Sequence, residues 1–164
     1  MASNHNAVRE GIIAGAIGAT SVALWFLIVD TVAGRPFHTP AYLGSALFSV
    51  LGPAGSEGAF FRVVIYTMFH YAAFAAVGIL LTLLVHRADA EPSVLAGFFI
   101  LFVAFELGFY GLTALLSQSE LLGNIAWYQI AIGNVLAAST MGVYLWRTHP
   151  ALGRGFSHAL GGAE

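Results

Sequence analysis

Long apolar runs dominate this chain, and they constrain most of what it can fold into. Gly11 to Ala33 carries no charge until Asp30, and Phe60 to Val85 is interrupted only by Arg62 near its start and by His70. Pro92 to Leu116 holds one carboxylate, Glu106, while Ile125 to Trp146 holds no ionisable acid or base. A helix needs roughly 20 apolar residues to cross a hydrocarbon layer about 30 Å thick, and each run has that length. A barrel strand would alternate polar and apolar residues over about 10 positions, which these runs do not. The expected fold is an all-α membrane protein: four transmembrane helices (approximately 11–33, 60–85, 92–116 and 125–146) in an antiparallel bundle. Residues 1–164 read as a single integral membrane domain with a cytoplasmic tail, 147–164.

Composition narrows the function classes. Hydrophobic residues make up 59% and charged residues 9%, against about 25% charged in a soluble domain. A net charge of −2 with no long basic run argues against nucleic acid as a partner. There is no cysteine, which removes disulfides, thiolate metal sites and thiol redox chemistry together. All six cationic side chains are arginine, a codon bias that suggests a bacterial genome rich in GC. The first run is longer than the 7–15 residues of a signal-peptide core and contains Asp30, so it reads as a retained span. Arg9, Arg87, Arg147 and Arg154 flank the spans on one side, and Arg35 and Arg62 on the other. The excess places both termini in the cytoplasm, across a bacterial inner membrane.

The connection from Gly34 to Ala59 has structure of its own. Thr39 suits an N-cap and Pro40 the first helical position. Leu43, Leu47, Val50 and Leu51 then share one face, with Ser45 and Ser49 away from it, before Gly52-Pro53 ends the run. A short amphipathic helix, approximately 40–51, is expected on the outer side, capping the bundle or lying in the interface. Small residues spaced four apart (Gly11/Gly15, Ala14/Gly18, Ala72/Ala76, Ala138/Gly142) offer flat faces. Such faces let helix backbones approach closely, within the chain or against another subunit.

The candidate site is the set of polar residues at depth. At about 1.5 Å per residue, His70, Glu106 and Asn134 fall in one layer, with Tyr66 and Tyr110 one turn above the first two. Ionisable groups within a span cost on the order of 2.5–3.5 kcal/mol and face the protein interior, so these are expected to converge. A hydrogen-bonded network that only orders the helices would suffice. Chemically richer alternatives are a proton relay, or a tetrapyrrole or quinone contact at His70. No second histidine lies at depth for bis-histidine haem, and His70 with Glu106 alone falls short of a zinc site. Asp30, Arg35 and His38 form a second cluster on the outer face, read as an interfacial ion pair with a solvated histidine, or as an entry point. No metal site is assigned; His149 and His158 stand too far apart in a Gly-containing tail.

Catalytic signatures such as HExxH, GxSxG and the P-loop are missing, and nearly all the chain is used in spanning. The sequence therefore points to a non-catalytic subunit of a larger, energy-transducing (respiratory or photosynthetic) membrane complex, in contact with lipid and with other membrane subunits. The alternative is a small homo-oligomeric transporter or channel with a proton-linked His/Glu site.

Overall fold

A computed structural model describes residues 2–51, 58–88 and 127–149. Four helices make up the described part: α1 (Ala2–Val32), α2 (His38–Leu51), α3 (Ala59–Ala88) and α4 (Trp127–Thr148). This corrects the expectation of four transmembrane helices. Among the described residues only Ala7–Val32 and Ala59–Arg87 are long and apolar enough to cross a membrane. With its 22 residues α4 has the length, but Gln129, Asn134, Ser139 and Thr140 dilute its apolar side chains below what a span needs. The run 92–116 lies outside the described residues, as do Glu106 and Tyr110.

The end of α1 is set by backbone geometry. Gly34 takes φ 70°, the left-handed conformation that glycine adopts without a steric penalty. Arg35 N–H then donates to Asp30 O (2.9 Å) and Gly34 N–H to Thr31 O (3.0 Å), the paired bonds of a Schellman motif. The chain turns at once into α2. His38 N–H donates to Arg35 O and Ala41 N–H to Phe37 O, and Pro40 has no N–H to satisfy. The remaining donor, Thr39 N–H, goes to the Asp30 side chain (2.7 Å). The cap of α2 is thus supplied from α1, and Thr39 lies inside the first turn instead of capping it. Ser45 also departs from expectation. It faces α3, where it accepts a hydrogen bond from Arg62 Nη1 (2.9 Å), and the adjacent Gly44 brings α2 against the Arg62 backbone.

Helix α1 lies between α3 and α4, which touch each other little. A Cβ on Gly11 would fall on the Ile79 backbone, one on Gly15 on Phe74 and Ala75, and one on Gly78 on Gly11 and Gly15. Three glycines therefore form a seam in which the two backbones touch. On the other flank Gly18 makes room for Met141, Trp25 Nε1–H donates to Gln129 O (2.9 Å) and Thr140 Oγ1–H to Ser21 Oγ (3.3 Å). As residue numbers rise along α1, their partners' numbers fall on both neighbours, so α3 and α4 run antiparallel to it. Ala14, Val85, Met141 and Leu145 form the buried core, with Phe74, Leu81 and Tyr144 packed around it. The Gly11/Gly15 face thus packs within the chain, whereas Ala72, Ala76 and Gly142 are exposed.

Gly15→Leu and Gly78→Leu should each destabilise the fold by about 1–3 kcal/mol or more, because a side chain cannot enter a backbone seam without moving a helix. Thermal unfolding in detergent would register this as a lowered midpoint. Gly142→Leu, with nothing within 4 Å of its added Cβ, should leave the midpoint in place; equal losses at all three positions would contradict the seam.

Candidate functional site

A cavity of about 230 Å³ opens between α1 and α3 beneath the start of α2. Leu27, Phe26, Phe37 and Val63 give it apolar walls, and Asp30, Tyr66, His70 and Tyr71 supply polar groups. Phe37 contributes its wall from a left-handed backbone conformation (φ 64°), unusual for a bulky residue. His70 is placed by α1. Its Nε2 lies 3.1 Å from Ala19 O, and a carbonyl can only accept, so Nε2 carries the proton. The imidazole stacks on Tyr66 (centroids 5.8 Å apart), meets Tyr71 edge-on and packs against Phe74 at 4.7 Å. Tyr71 Oη and Thr20 Oγ1 share a hydrogen bond of 2.9 Å, and Thr20 Oγ1–H reaches Ala16 O. Among the described residues Tyr66 and His70 are therefore brought together, with Tyr71 and Thr20 beside them. Asn134 is half-buried on α4 and does not line this cavity.

The outer-face cluster is reorganised. Asp30 is 4% exposed, and its carboxylate accepts from both Thr39 N–H and Thr39 Oγ1–H at 2.7 Å. Arg35 meets Asp30 through backbone atoms, and among the described residues there is no ion pair between their side chains. His38 stacks on Tyr42 at 6.3 Å. The expected ion pair fails for a geometric reason: the turn at Gly34 points the Asp30 carboxylate at the start of α2, where two hydrogen bonds claim it.

A third constellation was missed in the sequence. At the opposite end of α1, Glu10 meets His86 from the last turn of α3 and His149 from the end of α4. His149 Nε2 lies 2.7 Å from Glu10 Oε1 and His86 Nε2 3.3 Å from Oε2. The two rings meet edge-on, 4.8 Å apart, and Thr148 Oγ1–H donates to Glu10 Oε1 at 2.7 Å. The described residues thus form a small all-α fold with two helices of membrane-spanning length and a His/Glu cluster joining three helices at one end. Comparison with protein families, curated proteins and solved structures finds no match.

Asp30→Ala should free the start of α2 and strand two buried donors on Thr39, costing on the order of 1–2 kcal/mol, as lost helix caps do. Limited proteolysis would then cut the 34–59 connection faster than in the parent chain. Thr39→Val removes only the hydroxyl bond and should have a smaller effect; unchanged protection in Asp30→Ala would rule out the shared cap.

Proposed function

We propose that the chain is a small, non-catalytic integral membrane subunit of a larger, energy-transducing assembly in a bacterial inner membrane. The observation that carries this reading is the exposure of its apolar helices. Only 28% and 22% of an apolar 18-residue window in each of the two spanning-length stretches is buried within the chain, and Leu24, Ile28, Met68 and Leu80 are more than half exposed. A helix hydrophobic on all sides requires cover, which lipid and neighbouring membrane helices would provide. Arg87 and Arg147 lie in the last turns of α3 and α4, and Arg9 adjoins Glu10, so three arginines gather at the His/Glu end. That asymmetry supports a cytoplasmic location for this end.

The cavity supports the energy-transducing role. At about 230 Å³ it falls below the roughly 300–1,000 Å³ of drug-sized pockets. It suits a single lipophilic ring better than a macrocycle. The Tyr66 hydroxyl can donate to a quinone-type carbonyl from that apolar wall, and His70, whose Nε2–H goes to Ala19 O, offers Nδ1 as an acceptor for the hydroxyl of the reduced form. A tetrapyrrole is less well served, since the volume is small and His70 Nε2 is engaged with Ala19.

Purification in mild detergent should recover the protein with unlike chains in fixed stoichiometry and with extractable quinone. Tyr66→Phe should lower the quinone retained severalfold and leave the assembly intact. A stable homo-oligomer without partners would contradict the subunit reading and favour a proton-linked transporter or channel, in which His70 at the cavity wall is the titrating group.

A further inference from the structure

We infer that Glu10, His86 and His149 form a binding site for one divalent transition-metal ion, which clasps α1, α3 and α4 at their common end. The ligand atoms of the three side chains all lie within 4.8 Å of one another. In tetrahedral coordination at about 2.0–2.1 Å, neighbouring ligand atoms stand roughly 3.3 Å apart. Contacts of 2.7 and 3.3 Å therefore need only small side-chain adjustments to admit an ion. The donor set selects the metal class. Two imidazoles and one carboxylate suit zinc, cobalt, nickel or iron(II), whereas calcium and magnesium prefer an all-oxygen shell.

The surroundings fit a cation. The C-terminal ends of α3 and α4 converge here, and each carries partial negative charge. Thr148 fixes the Glu10 carboxylate by hydrogen bonding to it, the kind of outer support that orients metal ligands. Side-chain exposures of 15–29% leave the ligands reachable from solvent. On binding, the ion takes the place of the protons now shared between Nε2 and the carboxylate, and each neutral ring carries its proton on Nδ1. Three protein ligands leave a fourth position for water. The site is separate from the cavity, since Glu10 and Thr20 are about 15 Å apart along α1 at 1.5 Å per residue.

The competing account is an ion-paired network without metal, and cobalt(II) distinguishes the two. The full chain, purified in detergent and stripped with a chelator, would be titrated with cobalt(II) alone and followed by visible absorption. The expected result is a d–d band of low-coordinate cobalt that saturates at one ion per chain, and a raised unfolding midpoint. Glu10→Gln is nearly isosteric and keeps the Thr148 hydrogen bond, so it should fold while binding cobalt about tenfold or more weakly. His86→Ala and His149→Ala should each abolish the band. Thr148→Val should weaken binding without abolishing it, and His38→Ala, at the opposite end of α1, should have no effect. Absence of a band in the parent chain would overturn the inference. So would a band that persists in the His86→Ala/His149→Ala double variant, because the ion would then sit elsewhere.

Discussion

Everything described here is set by the contact between the backbones of α1 and α3. At Gly11, Gly15 and Gly78 no side chain separates the helices, so main-chain atoms meet at van der Waals distance. Dispersion over such a contact drives helix association in lipid, where burial of apolar surface adds nothing. The close approach also fixes the register. With Gly78 seated between Gly11 and Gly15, His70 falls opposite Ala19 and Tyr71 opposite Thr20, while Glu10 and His86, offset along the two helices, meet through their side chains. The polar contacts at the cavity and at the far end are thus consequences of one packing decision made by three residues.

Asp30 plays the corresponding part at the other end of α1. A carboxylate removed from water is costly unless hydrogen bonds satisfy it, and here two donors of Thr39 do so. Because the same residue's carbonyl closes α1 through Arg35 N–H, one position both ends a helix and starts the next. The roof of the cavity follows from this joint: Phe37, Thr39 and Pro40 are held over Tyr66 and His70. The Glu10 cluster and the Asp30 joint therefore tie α1 to its neighbours at opposite ends, with the glycine seam and the cavity between them.

Much of this was legible from apolar length and helix punctuation. The runs from Gly11 and Phe60 became α1 and α3, and the amphipathic stretch after Thr39 became α2. Tyr66 and His70, one turn apart, do share a wall. Length alone misleads for α4, whose polar residues leave it short of a spanning helix. Partners remote in sequence are the other blind spot. Asp30 was paired with Arg35 by proximity, although the turn gives it to Thr39. Glu10 is 76 residues from His86 and 139 from His149; no local motif marks the first two, and His149 was weighed only against His158 in the tail. A signal was nonetheless present. The positive-inside rule groups Arg9, Arg87 and Arg147 at one end of the spans, and it groups their neighbours Glu10, His86 and His149 there as well.

The seam itself can be observed directly. Solid-state NMR of the protein in lipid bilayers, labelled with carbon-13 only at the glycine Cα, reads through-space contacts among glycines. Gly78 should show short-mixing cross-peaks to Gly11 and Gly15, which no single helix can produce because α1 and α3 are distant in sequence. Diluting labelled chains with unlabelled ones should leave those peaks at full relative intensity, since the contact lies within one chain. Loss of the peaks on dilution, or their absence from the outset, would mean that α1 and α3 do not meet along this face within the chain, and the account built on that register would be wrong.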